Sequence, residues 1–320
     1  MHDLVAGTRT DNPDPSTHRK TSTRTGRSPG TARWKRRAAA LLMLALASAG
    51  ARADTPLRVV YPHPESGQDR RADYPLALLK LALQRSGVAY TLQPARAEMQ
   101  QDRALRQLAE GRDIDVVWTV ATREREHDLL PVRIPIDRGL IGWRVLLIRA
   151  DEQPGMDKVR SIGDLRRFRA GQGHDWPDLA ILRANGLPTA ASPTYDGLFK
   201  MLAMQRIDYV PRSIAEVEPE LARHASLHLA IEQHLLLHYP SALYYFVNRR
   251  NQALADAIAR GLRRAIRDGS MQALFQRNYG ALEKSLALHR RRRIELVNPL
   301  FPGDASTGSA SLWFKPAATP

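Results

Sequence analysis

From Leu57 onward, short β-rich runs alternate with segments of helix length, and this alternation narrows the fold more than any other feature of the chain. Leu57-Arg58-Val59-Val60-Tyr61, Tyr90-Thr91-Leu92 and Ile114-Asp115-Val116-Val117-Trp118 have strand composition. Asp73 opens a helix with Pro75 in its first turn, and Leu76, Leu79 and Leu83 follow at helical spacing before Ser86-Gly87 stops it. Residues 102–110 form a second helix, closed by Gly111. Strands joined through helices predict an α/β fold with a largely parallel sheet. The helix–strand unit over residues 105–117, which runs through Leu-Ala to an Arg and a strand opening Ile-Asp, recurs over residues 198–210. One copy in each half predicts two similar α/β lobes. Two extended stretches, residues 138–148 and 239–248, predict a pair of hinge connections between them, with helices over 254–268 and 271–279 to follow.

Upstream lies a segment with the form of a secretory signal. A basic head, Arg33-Trp34-Lys35-Arg36-Arg37, precedes an apolar run over 38–50 and the small-residue site Ala51-Arg52-Ala53. The run is shorter than the ~20 residues a membrane span needs. The expectation is cleavage after Ala53, a mature chain over residues 54–320 and a periplasmic location, which excludes most cytosolic enzyme classes. Residues 1–32, rich in Thr, Ser, Pro and Arg, read as disordered.

The formal charge of +15 is concentrated at the start of the chain. The first 53 residues hold ten Lys/Arg and three Asp/Glu, which leaves 38 against 30, or +8, for the remainder. Without a basic face interleaved with aromatics, nucleic acid is not an expected partner. The absence of cysteine excludes disulfides and thiolate chemistry. His224, His228, His234 and His238 form two i,i+4 pairs, but neither stretch has helical patterning, so no metal site is expected. Ser-x-x-Lys, His-Glu-x-x-His and Gly-Lys-Ser/Thr patterns are missing, and the single Gly-x-Ser-x-Gly, Gly26 to Gly30, lies ahead of the signal. No cofactor is implied. The basic run Arg290 to Arg293 reads as the solvated end of a helix.

Several segments then fall in a telling order: the signal, the first strand, Gly111-x-x-x-Asp115-Val116-Val117, Thr122-Arg123-Glu124-Arg125, Ser161-Ile162-Gly163-Asp164-Leu165, Arg206-Ile207-Asp208 and Asn278-Tyr279-Gly280. In this order the chain resembles the bacterial extracellular solute-binding proteins of family 3, the amino-acid-type periplasmic binding proteins, over roughly residues 57–280. The resemblance implies a two-lobe fold with a first lobe over 54–138, a second over 139–239, a return to the first over 240–303 and a tail over 304–320. It also implies that ligand binds in the cleft as the lobes close.

Arg125 falls where the family's Thr-x-Glu-Arg motif places an arginine that grips the ligand carboxylate, and a guanidinium fork suits that task. Thr122 would cap a helix whose first amides favour an anion. The family usually carries an Asp shortly after the Arg-x-Asp strand to hold the ligand's ammonium. Here the strand runs Tyr209-Val210-Pro211-Arg212-Ser213, with an arginine beside the vacancy. Ser213 to Glu216 has the spacing of a capping box. The expectation is that Arg125 and Arg212 clasp an anion from opposite lobes. Further cleft candidates are Ser213, Thr119, the aromatic residues Tyr61, Trp118, Trp176 and Tyr195, and the turn residues Gly173 and His174, where backbone amides and flat rings can meet a ligand. The expected function is capture of a small anionic or amino-acid-like solute by a monomeric protein for a membrane permease or receptor. A cyclic dehydratase acting on a prephenate-like dianion, with Asp178, Asp196 or Glu216 as acid, and a sensor or partner-binding protein with a degenerate cleft are the alternatives.

Overall fold

The computed structural model describes residues 56–64, 69–302 and 312–316. The signal-like segment, its cleavage site and the Gly26 to Gly30 match lie outside the described residues. Strands β1 (Leu57–His63), β2 (Tyr90–Glu98), β3 (Val116–Val120) and β4 (Leu129–Val132) alternate with helices α1 (Asp73–Ser86), α2 (Gln101–Glu110) and α3 (Arg123–Asp128). After β5 (Trp143–Arg149) come α4 (Gln153–Met156), α5 (Ile162–Leu165), β6 (Ala170–Gly173), α6 (Pro177–Ala184), β7 (Thr189–Ser192), α7 (Tyr195–Ala203), β8 (Tyr209–Ser213) and α8 (Val217–Arg223). The chain closes with β9 (Leu229–Ile231), β10 (Leu235–His238), β11 (Leu243–Asn248), α9 (Gln252–Arg267), α10 (Ser270–Tyr279), α11 (Leu282–Ser285) and β12 (Arg292–Glu295).

In the first lobe β1 pairs parallel with β2, and β11 lies antiparallel between β3 and β4. Asp115 ties the two pieces together: its amide donates to the Val60 carbonyl at 2.8 Å, and its carboxylate accepts from the Val60 amide at 2.8 Å. The second lobe holds the large sheet, in the order β12-β10-β5-β8-β6-β7 with β9 beside β5. The expectation of parallel pairing holds for β1 with β2 and for β6 with β7 and β8. β5 and β11 run antiparallel to their neighbours because each is entered by a short crossing from the other lobe and not through a helix. Helix α9 lies along α1. It buries Leu254, Ile258, Leu262 and Ala265 at helical spacing against Leu78, Ala82 and Leu83 of α1. Each buried leucine contributes about 1.5–3 kcal/mol.

The first crossing is not extended over its whole length, as the sequence suggested. Arg138 and Gly139 have φ of 56° and 77°, and Leu140–Gly142 is a turn of 3-10 helix. Asp137 imposes this bend, because its carboxylate accepts from the Gly139 amide at 2.9 Å and the Ile141 amide at 2.7 Å. The second crossing, over 239–242, is likewise a loop, and the strand begins at Leu243.

The basic run also differs from expectation. It is a 3-10 turn, Leu288–Arg290, followed by β12, which pairs parallel with β10. Arg291 is 5% exposed and donates to the carbonyls of Leu286 (2.7 Å), Leu235 (3.1 Å) and Glu232. A guanidinium with several fixed acceptors can be buried where one facing apolar surface cannot. Beyond β12, the Asn185 side chain exchanges two hydrogen bonds with the backbone of Val297, and Phe301 packs with Val60, Leu108 and Phe246. The segment from Val297 to Phe301 therefore touches both lobes. The Trp313 indole lies against Gly139, and the Phe314 amide donates to the Arg138 carbonyl at 2.7 Å, over the first crossing.

Among the described residues no helix is long and apolar enough to cross a membrane, and no group of three or more His, Asp or Glu side chains is arranged to hold a metal.

Candidate ligand-binding site

A cavity of about 180 Å³ lies where the two lobes meet. The first lobe contributes the end of β1, the turn over 69–72 that enters α1, Gln101 at the start of α2, and Trp118 and Thr119 of β3. The second contributes Arg144 from β5, Trp176 and Asp178 at the start of α6, Arg212 from β8 and Glu216 ahead of α8. Both signs of charge are present, and every arginine of the wall has a carboxylate. Arg71 forms a fork with Asp69 (Nε to Oδ1 2.9 Å, Nη2 to Oδ2 2.8 Å). Arg144 Nη2 lies 2.6 Å from Asp178 Oδ1, which also accepts from the Tyr239 hydroxyl. Arg212 forks onto Glu220 (Nε to Oε2 2.7 Å, Nη2 to Oε1 2.6 Å), with Glu216 at 3.0 Å.

Burial makes these pairs matter. Arg144 and Arg212 are each 2% exposed and Glu220 is 1% exposed. Desolvation works against charge on Arg212, but Glu216 and Glu220 more than offset it and hold the guanidinium protonated. Desolvation pushes the Glu216 carboxyl above its usual range, opposed by Arg212. Two buried polar atoms of the wall have no hydrogen-bond partner among the described residues: Arg144 Nε and Glu216 Oε2. Glu216 Oε2 is within ion-pair distance of Arg212 and, at 3.7 Å, of Arg144, but is not aligned for a hydrogen bond with either.

Arg125 and Arg212 line separate cavities. Arg125 belongs to a second one, about 630 Å³, with Thr122, His174 and Asp175 in its wall. Thr122 caps α3 as the sequence indicated, accepting from the Arg125 amide at 3.1 Å. The Arg125 Nη1 donates to Thr119 Oγ1 at 2.7 Å and to the Val120 carbonyl at 3.0 Å. Thr119 in turn donates to Gln101 Oε1 at 2.6 Å, and Gln101 Nε2 donates across to the Asp175 carbonyl at 3.2 Å. Burial lowers the Arg125 guanidinium to about 10, offset in part by Asp102 and Asp175. The chain's own groups thus engage the arginine that the motif assigns to a ligand.

The clasp from opposite lobes is accordingly not assembled, because eight residues along the chain from Arg212 stands a buried carboxylate that takes its fork. Ser213 is also not a cleft residue: it is fully buried and its hydroxyl donates to the Leu140 carbonyl at 3.1 Å. It makes no capping box, since α8 begins at Val217 with Glu216 ahead of it. Of the other candidates, Trp118, Thr119 and Trp176 line the first cavity, while Tyr61 packs beside Trp118 with ring centroids 6.2 Å apart. His174 lines the second cavity. Gly173 lies under Trp176, where a Cβ would come within 2.6 Å of the indole. Tyr195 is 4% exposed and donates its hydroxyl to Glu220 Oε1 at 2.9 Å.

Asp69, Arg71, Gln101 and Arg144 were not singled out from the sequence, Asp178 entered only as a candidate acid, and Glu216 as a candidate acid and as the end of the capping-box spacing. A lone cation within the apolar run Trp143-Arg144-Val145-Leu146-Leu147-Ile148 was the available signal for Arg144.

No protein-family model matches the chain, and no curated protein matches it. Solved structures do. A Salmonella typhimurium periplasmic binding protein described for high arginine specificity superposes with a TM-score of 0.54 at 16% identity, covering 70% of this chain and 100% of that one. A probable amino-acid ABC transporter extracellular-binding protein, ytmK of Bacillus subtilis, gives 0.54 at 17% identity, covering 71% and 99%. An ancestral arginine-binding protein bound to arginine gives 0.53 at 17% identity, covering 70% and 98%. These likenesses extend over nearly the full length of each neighbour, and the chain has the two-lobed α/β fold of the periplasmic binding proteins.

Proposed function

We propose that the chain is a solute-binding protein that closes on a small amino-acid-like zwitterion and presents it to a membrane permease or receptor. The observation that carries this is the mixed-charge cavity walled by Arg144, Arg212, Asp178 and Glu216, in which Arg144 Nε has no hydrogen-bond partner among the described residues and Glu216 Oε2 makes ion-pair contacts without an aligned hydrogen bond. A ligand carboxylate draws the Arg144 guanidinium, and an ammonium the Glu216 carboxylate, out of their buried positions toward the cavity, and the charge-assisted bonds formed there offset the contacts given up. Glu216 supplies the acidic group missing at the end of the β8 strand. Trp118 and Trp176 offer apolar faces beside them. The neighbours' printed roles in amino-acid binding and transport support this function. Export through the segment before Asp54, a monomeric state and lobe boundaries at 138/139 and 239/240 belong to the same proposal, with no catalytic step required of any residue; the return to the first lobe does not run through to 303, because β12, Arg292–Glu295, joins the second lobe's sheet beside β10.

A thermal-shift screen against amino acids, dicarboxylates, keto acids and phosphate esters tests it. A ligand at a hundredfold excess over Kd stabilises the folded state by about 2.7 kcal/mol. The expected result is a shift with a zwitterion, weakened in Arg144→Met and in Glu216→Gln. A response confined to anions, unaffected by Glu216→Gln, would overturn it.

A further inference from the structure

We propose that Arg71 is a resident guanidinium that occupies an aromatic subsite of the second lobe, so that the cleft takes solutes without a planar cationic end. The inference deepens solute capture and rests on it for its meaning, although its geometry stands independently.

The subsite has three parts. Tyr195 presents its ring, fixed from behind by the hydroxyl bond to Glu220. Trp176 stands beside it, ring centroids 6.5 Å apart, held by the close approach of Gly173. From the first lobe, Asp69 offers a carboxylate that is almost fully buried. Into this space comes the Arg71 side chain. Its guanidinium carbon lies 4.3 Å from the Tyr195 centroid and 5.4 Å from that of Trp176, and its N–H groups fork onto Asp69.

A carboxylate and two ring faces are the elements that recognise a free guanidinium: the fork matches the carboxylate, and the ring quadrupoles attract the cation. Here the occupant is tethered two residues ahead of α1 and crosses from the lobe opposite the rings. A ligand ending in a guanidinium has to displace a group that is chemically the same and already at high effective concentration. A short, uncharged side chain has no such competitor and uses the remaining volume near Trp118.

Removing the tether should expose the subsite. Methylguanidinium is the probe, titrated calorimetrically into the wild type, Arg71→Ala and the double variant Asp69→Asn/Arg71→Ala. Arg71→Ala is expected to bind it roughly tenfold or more tightly than the wild type, since the ring contacts and the charge-assisted fork both return. The double variant should lose that gain. If alanine leaves the Asp69 carboxylate too poorly satisfied to fold, Arg71→Ser supplies a hydroxyl donor and carries the same expectation. Equal methylguanidinium binding by the wild type and the Arg71 variant overturns the assignment, as does a gain that survives Asp69→Asn. If the wild type binds a zwitterion while the Arg71 variant gains nothing, solute capture stands and the resident guanidinium fails. If the variant gains the probe while the wild type binds none of the solute panel, the reverse holds.

Discussion

Replacing Glu220 by alanine tests whether Arg212 is part of the scaffold beneath the cleft or a charge held ready for a ligand. The substitution removes both arms of the Arg212 fork, at 2.7 and 2.6 Å, and the acceptor of the Tyr195 hydroxyl at 2.9 Å. Arg212, 2% exposed, keeps Glu216 at 3.0 Å as its carboxylate partner among the described residues, with the Trp176 ring centroid 4.6 Å from its guanidinium carbon. Breaking a buried pair by deleting one partner costs about 3–5 kcal/mol, and the retained glutamate places this case near the lower end. The orphaned tyrosine hydroxyl adds about 1 kcal/mol, for a total of about 4 kcal/mol. For a folded unit of this size that corresponds to a fall in Tm of roughly 8–16 °C, read by calorimetry. The paired change Arg212→Leu/Glu220→Leu should be milder than Glu220→Ala, because it leaves no uncompensated buried charge. A fall of less than about 2 °C for Glu220→Ala, with the Leu/Leu variant simply additive, would refute the scaffold role. Arg212 would then be available to an anionic ligand, as the strand-end sequence first suggested.

Two further outcomes concern the crossing between the lobes. Burial raises the Asp137 carboxyl from 3.8 to about 6, against the two amide bonds from Ile141 and Gly139 that favour its charged form. A carboxyl with a raised folded value contributes stability that is fully present below its unfolded value and lost as pH rises through the folded one. The stability difference between the wild type and Asp137→Asn should therefore change by about 3 kcal/mol in the wild type's disfavour from pH ~4 to pH ~7, measured by urea denaturation; a flat difference would count against the burial argument. Gly139→Ala should destabilise by about 1–2 kcal/mol from its φ of 77° alone, and more from the Trp313 indole 2.6 Å from the new Cβ. Faster hydrogen exchange at the Phe314 amide, which is bonded to the Arg138 carbonyl, is the accompanying sign; unchanged exchange would mean that Trp313 and Phe314 do not brace this turn.

The alternation of strand and helix was legible because it rests on local periodicity. α1 ends at Gly87 with φ of 82°, Thr122 caps α3, and the recurring helix–strand unit appears as α2 with β3 and as α7 with β8. Each of these is decided by residues a few positions apart, where propensity and capping act. The site was less legible. Trp118, Thr119 and Trp176, named from strand ends and a turn, line the first cavity, while Arg125, the position the family motif singles out, and Ser213, whose spacing was that of a capping box, are engaged by the chain itself.

The sequence alone determined that the chain is α/β with one helix–strand unit per lobe, that no thiol chemistry is possible, and that arginines stand near the cleft. Only the tertiary structure decided which charge meets which. Asp178 accepts from Tyr239 across 61 residues of chain while pairing with Arg144, Glu220 closes on Arg212, and Arg71 crosses to rings of the other lobe. A buried ion's behaviour depends on the carboxylate within a few ångströms of it, since attraction and desolvation both act through space and not along the sequence. No spacing rule carries that information, so a cleft that reads as cationic in one dimension is charge-balanced in three.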